Sequence, residues 1–127
     1  MASRPKLYRV ILPVSDIEKA AGFYHRLLGF PGQRVSAGRH YFDCNGTILA
    51  CLDPRADGEG RDTRSNPEHI YFCVADLEAV FERAKIAGCR SVDASIVTQP
   101  WGERMFYAVD PFGNQISFVD ELTVFTG

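Results

Sequence analysis

Two chemistry-bearing side chains stand at equivalent places in this 127-residue chain: Arg9 opens the run Arg9-Val10-Ile11-Leu12-Pro13-Val14, and His69 opens His69-Ile70-Tyr71-Phe72-Cys73-Val74, 60 positions later. Alternate residues of a strand share a face, so Arg9 goes with Ile11 and Pro13, and His69 with Tyr71 and Cys73. A second pair follows from aligning Gly46 with Gly113 and Asp53 with Asp120, which sets Ala50 on Ser117. On one surface these residues make a binding site. Arg9 can pair with a carboxylate, phosphate or enolate, His69 and Ser117 can supply hydrogen bonds, and Tyr71 and Trp101 can wall in a flat compound. Each also has a plainer reading: a salt bridge for Arg9, an ordinary satisfied histidine for His69, and a core plug at a module seam for Trp101.

Other constellations are weaker. Ser117 and His69 can approach each other, but there is no Gly-x-Ser-x-Gly elbow and no assigned orienting acid, which argues against a hydrolase. Gly58-Glu59-Gly60 lies in a polar stretch and opens no helix, so it is not a phosphate loop. His25 reads as solvated and His40, beside Tyr41, as a strand residue. Cys44, Cys51, Cys73 and Cys89 show no C-x-x-C spacing and lie in apolar runs, which predicts reduced, buried thiols.

The elements that position these residues come in two copies. Val14-Ser15-Asp16-Ile17-Glu18 returns as Val74-Ala75-Asp76-Leu77-Glu78, and each copy runs through a helical stretch to a glycine, Gly29 or Gly88. Such a duplication predicts two similar modules that bury their apolar faces together. In the first, Leu7 to Val14 reads as a strand with Val10, Leu12 and Val14 inward. Ser15-x-x-Glu18 reads as a capping box for a helix from about Asp16 to Leu28. Two or three strands follow within Gln33 to Leu52, with Asn45-Gly46 as a tight hairpin turn. The second repeats the order: a strand over 69–74, a helix over about 76–87, a strand near 91–98 and a hairpin over 104–119 that turns at Asp110-Pro111-Phe112-Gly113-Asn114. The modules thus span about 7–52 and 69–120, and the polar segment 53–68 is a linker long enough to act as a lid. The expected fold class is α+β, with two tandem βαβββ modules forming a curved mixed sheet around a cleft and helices outside.

Composition bounds the function. The net charge of −2, from 14 basic and 16 acidic residues, comes with no basic block of the kind that neutralises phosphates, which excludes nucleic acid as the expected partner. No apolar run is long enough for a membrane span or a secretory leader, so the expected location is the cytoplasm.

Over nearly its whole length the chain resembles the vicinal oxygen chelate superfamily of glyoxalases, bleomycin-resistance proteins and ring-cleaving dioxygenases. The residues that carry the resemblance are Val14-Ser15-Asp16, Phe23-Tyr24, Leu27-Leu28-Gly29-Phe30 and His69-Ile70-Tyr71-Phe72. The most specific stretch is Pro100-Trp101-Gly102-x-Arg104-x-Phe106 with Asp110-Pro111-x-Gly113-Asn114. Metal-dependent members of that superfamily draw ligands from positions that map here onto Arg9, Ala50, His69 and Ser117. Of these His69 alone has a lone pair suited to a metal, since Arg stays protonated and Ala has no donor. The resemblance therefore implies no cofactor, with a divalent metal left only to a rearranged set using Asp43, His40 or Cys73.

The implied function is that of a metal-free small-molecule-binding protein of the bleomycin-resistance type. It would sequester an aromatic or anionic compound, as in antibiotic resistance, at Arg9, Ala50, His69, Tyr71, Trp101 and Ser117. The resemblance also implies a homodimer. The alternative is a lyase, isomerase or dioxygenase of the same superfamily with a rearranged or absent metal site, in which Arg9 stabilises an enolate and His69 moves a proton. A third reading is an interaction domain with an empty cleft.

Overall fold

A computed structural model describes residues 3–127. The first unit runs β1 (Arg9–Pro13), α1 (Ile17–Leu28), β2 (Gln33–Ser36), β3 (Arg39–Cys44) and β4 (Thr47–Leu52). The second runs β5 (Ile70–Val74), α2 (Leu77–Ala87), β6 (Ser91–Val92), β7 (Val97–Thr98), β8 (Arg104–Val109) and β9 (Gln115–Asp120), followed by a 3₁₀ turn at Glu121–Thr123. The strand expected near 91–98 is broken into β6 and β7, which both pair with β8. The expected α+β class and helix-bearing tandem units are present. The strands form two sheets, ordered β1-β4-β3-β2 and β5-β9-β8-β6 with β7 also on β8. Each sheet is mixed, because β1 runs parallel to β4 and β5 parallel to β9 while the other pairs are antiparallel.

Local chemistry sets the helix ends. The Asp16 carboxylate accepts from the Lys19 backbone N–H at 3.1 Å, and Asp76 accepts from Ala79 at 3.1 Å. The cap of α1 is therefore Asp16 and not Ser15. The partner expected for Ser15, Glu18, reaches instead to Arg34 on β2. Both helices close on a glycine in the left-handed region, Gly29 at φ 89° and Gly88 at φ 109°, a conformation that costs a residue with a Cβ about 1 kcal/mol. The Asn45-Gly46 turn joins β3 to β4 with both residues at positive φ, as a two-residue hairpin requires.

One core runs through both units. Leu12, Phe23, Leu27, Phe42 and Leu49 from the first meet Val80, Ala84, Phe106, Ile116 and Phe118 from the second. Strand alternation sends Leu12, Phe42, Leu49, Phe106, Ile116 and Phe118 to the helix-covered side of each sheet, helical spacing turns Phe23, Leu27, Val80 and Ala84 toward them, and burial stabilises each large side chain by about 1.5–3 kcal/mol. The units meet through their helices. Arg26 of α1 donates to the carbonyl of Ala87 at the end of α2 (3.0 Å), and Arg83 of α2 donates to Leu27 near the end of α1 (3.1 Å). Each cation thereby sits at the negative end of the other helix's dipole. A buried polar link adds to this: the Tyr24 hydroxyl donates to Asp110 at 2.6 Å, and Asn114 donates to Asp110 and to the carbonyl of Pro13.

Candidate functional site

The site is built on the faces of the two sheets that the helices leave uncovered. In the first sheet the register lines up Ile11, Ala50 and Tyr41 in one row, with Arg9, Ile48 and Asp43 in the next. In the second, Tyr71, Ser117 and Tyr107 form the corresponding row. Ala50 and Ser117 are both buried and occupy equivalent places, each in a central strand between an outer residue and a tyrosine. Tyr41 and Tyr107 were missed by sequence reasoning. The signal was available, because the hairpin at Asn45-Gly46 sets Tyr41 opposite Ala50, and the turn at Asp110–Asn114 sets Tyr107 opposite Ser117.

Arg9 has no acidic partner among the described residues. Its Nη1 donates to the Tyr41 hydroxyl at 3.0 Å, and its guanidinium lies 5.3 Å from the Tyr8 ring centre and 5.8 Å from that of Tyr41. Arg39 Nη1 donates to the same hydroxyl at 3.0 Å while its Nε reaches Asp57. Two cations thus spend both lone pairs of one phenol oxygen and leave its O–H to donate outward. The salt-bridge reading of Arg9 is overturned: Asp43, two strands away, accepts instead from the backbone of Gly46 in its own turn.

On the second sheet, His69 Nδ1 lies 3.0 Å from the buried Ser117 Oγ, and its ring centre is 4.8 Å from that of Tyr107 and 6.0 Å from that of Tyr71. Burial, and then the neighbouring Tyr71, raises the Tyr107 hydroxyl above the ordinary tyrosine range. A cavity of about 310 Å³ opens here, lined by His69, Ser91, Asp93, Tyr107 and Gln115 among others. No carboxylate among the described residues bonds to His69, so the pair lacks the orienting acid that nucleophilic catalysis uses.

Within one chain, then, Arg9 and Ala50 lie on one sheet face while His69, Tyr71 and Ser117 lie on another. Trp101 joins neither group. It sits at the tip of the β7–β8 hairpin, 61% exposed, with its indole N–H donating to Glu103, beyond the end of β8 opposite to Tyr107. The core-plug reading of Trp101 is thereby overturned. His25 is exposed, as expected, and His40 is a buried strand residue held by the carbonyl of Pro31 at 2.8 Å.

The residues at the four superfamily metal positions do not suit a divalent ion. Arg9 and Ala50 offer no donor and Ser117 a weak one. The rearranged set fails on geometry: His40 and Asp43 are three apart in β3 and so face opposite sides, while Cys73 is on the other sheet. Among the described residues no three of His, Cys, Asp and Glu come together in a way that could hold a metal. The cysteines are all free thiols. Cys51 is buried, Cys44 and Cys89 partly so, and Cys73, expected to be buried, is exposed on the uncovered face of β5.

The segment expected to be a linker packs against the first unit. Asp57 accepts from Ser36 Oγ at 2.6 Å and from the Gly38 N–H at 2.9 Å, contacts that hold its carboxyl below the usual carboxylate range. A Cβ on Gly38 would lie 2.3 Å from the carbonyl of Asp53, so this close approach demands a glycine. Farther on, Thr63 donates to the carbonyl of Val14 and Asn66 to that of Ile11.

Two helix-backed mixed sheets, joined through their helices and presenting uncovered faces lined by Arg, His, Ser and Tyr, define a duplicated α+β protein with small-molecule-sized cavities. The model of the Glyoxalase/Bleomycin resistance protein/Dioxygenase superfamily matches residues 6–118, and the chain belongs to that superfamily. It is 30% identical to a bleomycin resistance protein of Geobacillus stearothermophilus over 125 residues, covering 87% of this chain and 93% of the relative, and equally so to one of Staphylococcus aureus. The fold is shared with a glyoxalase-related enzyme from Fulvimarina pelagi (TM-score 0.75, 19% identity, 96% of this chain and 92% of that one). It is also shared with a bleomycin-binding protein solved with bleomycin (TM-score 0.67, 22% identity, 93% and 99%).

Proposed function

We propose that this protein binds a small aromatic or anionic compound stoichiometrically and without a metal ion, in the manner its similarity to bleomycin resistance proteins suggests. The observation that carries this reading is Arg9, a cation on an uncovered sheet face whose hydrogen bond goes to a tyrosine and not to an acid. An anion placed there would meet the Arg9 guanidinium and the free O–H of Tyr41, both charge-assisted or well-directed donors. His69 and Ser117 supply the polar contacts of the opposite wall, with Tyr71 and Tyr107 as its aromatic surface.

In this reading the two faces meet in a homodimer, where the first sheet of one chain closes over the second sheet of its partner. Exposed apolar side chains at Leu7, Tyr8, Ile11 and Tyr71 favour such pairing. The cytoplasm, where four free thiols stay reduced, is the proposed location.

Titration calorimetry with bleomycin, 2-naphthoate and 2-naphthamide tests the proposal, with elemental analysis of the untagged protein alongside. We expect naphthoate to bind at one per chain and to weaken by about tenfold in Arg9→Gln, the loss of one charge-assisted pair. Equal affinity for naphthoate and its neutral amide would remove the anion from the reading, and binding of bleomycin alone would replace it. One metal ion retained per chain, and lost in His69→Ala, would overturn the metal-free part.

A further inference from the structure

The two uncovered faces differ in charge. On the first sheet cations dominate. Next to the Arg9 row, the segment that joins the units roofs the apolar floor of Ile11, Pro13 and Leu52 in a cavity of about 370 Å³ and brings Arg61 and Arg64 to it. Asp62, beside them, is paired with Arg55. The cavity on the second sheet, about 310 Å³, has the opposite character: no lysine or arginine lines it among the described residues, and its carboxylate is Asp93.

Asp93 follows β6 and is fixed to β8 from both sides. Its N–H donates to the carbonyl of Tyr107 at 3.0 Å, and its Oδ2 accepts from the Tyr107 N–H at 2.9 Å. Its Oδ1 makes no hydrogen bond, and the residue makes no ion pair, among the described residues. That oxygen is open to solvent, because no enclosed side-chain oxygen lacks a partner there. Ser91 shares the face by strand alternation, and Gln115 joins it through Val109, which pairs with both. The side chains of Ser91 and Gln115 have no hydrogen-bond partner among the described residues either. Negative potential reaches across the cavity: after burial and Tyr71, the charges of Asp93 and Glu103 help to raise the Tyr107 hydroxyl.

We propose that this face is the cation-recognising half of the binding site, where a protonated amine of the ligand pairs with Asp93 against the ring of Tyr107. On the reading that a small molecule occupies the uncovered faces, which this assignment needs, that molecule carries an amine, and with an acid group at Arg9 it is amphoteric. An ammonium has three N–H donors, and the free Asp93 Oδ1, the Gln115 amide oxygen and Ser91 Oγ are three acceptors for them. Gln115 and Ser91 serve either sign of charge, so Asp93 makes the choice. An anion brought beside it meets a like charge with no cation to offset it. The rings of His69, Tyr71 and Tyr107, with centres 4.8 and 6.0 Å apart, add aromatic faces of the kind that attract cations.

Three probes with the same rings separate the contributions in calorimetric titrations of the full chain: 2-naphthylmethylammonium, the neutral 2-naphthylmethanol and 2-naphthoate. The native protein should bind the ammonium more tightly than the alcohol, by a margin that shrinks as salt is added. Asp93→Asn keeps an acceptor for the Tyr107 N–H. It should weaken the ammonium about fivefold, as for a partly exposed ion pair, and leave the alcohol and naphthoate unchanged. Asp93→Glu should restore part of the loss, with circular dichroism and melting temperature reporting that both variants are folded. Ammonium affinity equal to that of the alcohol, or unchanged in Asp93→Asn while naphthoate still depends on Arg9, overturns the proposal and leaves the anion reading in place. Ammonium binding that depends on Asp93 with no binding of naphthoate supports the cation half and overturns the anion reading instead.

Discussion

At the scale of single residues, the polar groups that matter most for stability are buried where the two units meet. Asp110 is fully enclosed and accepts from Tyr24, from the backbone of Phe112 and Asn114, and from the Asn114 amide. Burial, and then the charge of Asp110, pushes the Tyr24 hydroxyl well above its ordinary value, so it remains a donor throughout the working range. Tyr24→Phe removes one donor from an enclosed carboxylate and should cost about 1–3 kcal/mol in urea unfolding. The thiols give a pH prediction. Burial pushes Cys51 up to about 12 and Cys89 to about 11. A raised thiol favours the folded state while it is protonated. Its contribution is complete below the ordinary cysteine value of about 8.5 and is lost as pH rises from there toward 12. Thermal stability should therefore begin to fall above about pH 9, less so in Cys51→Ala. At pH 8 Ellman's reagent should modify exposed Cys73 first and Cys51 only on unfolding.

At the scale of elements, short-range chemistry decides where each helix and turn begins. Asp16 and Asp76 occupy the same place in the repeat and cap their helices identically, with the same 3.1 Å contact to the residue three positions on. Asp16→Ala should destabilise the fold by about 1 kcal/mol and Ser15→Ala by under about 0.5 kcal/mol, since only the former accepts a helical N–H. Thermal denaturation of the two variants measures this directly, and a larger loss at Ser15 would restore the capping box. The segment after β4 shows a different logic. Its charged and glycine-rich composition reads as a connection, yet Asp57 fixes it to the β2–β3 turn through three donors. Such contacts join residues about twenty positions apart and leave no periodic trace in the sequence.

At the scale of the whole molecule, packing through the helices leaves both uncovered sheet faces open. Among the described residues the outer edges of β1 and β5 pair with no other strand, and Ile11 and Tyr71 are exposed beside them. A second copy that covered these faces would bring Arg9 of one chain toward His69 of the other. Sedimentation should then give a particle of twice the 14.2 kDa chain mass, and Tyr71→Asp should shift it toward the single-chain value. A single-chain particle in the native protein would leave the two faces as separate sites.

The repeat, the helix stripes, the glycine stops and the Asn45-Gly46 turn were legible in the sequence because each is set by neighbours within a few residues. Alternation likewise placed Arg9 with Ile11, and Tyr71 on the uncovered face. The sequence by itself thus determined the superfamily, the α+β class and which residues of β1 and β5 turn away from the helices. Tertiary structure alone decided three things: that Arg9 and Arg39 converge on Tyr41, that the 53–68 segment roofs an apolar cavity, and that Trp101 stands clear of the other site residues. These depend on the distances between strands, hairpin tips and connecting segments, which follow from how the two sheets pack on their shared helices and not from any local pattern.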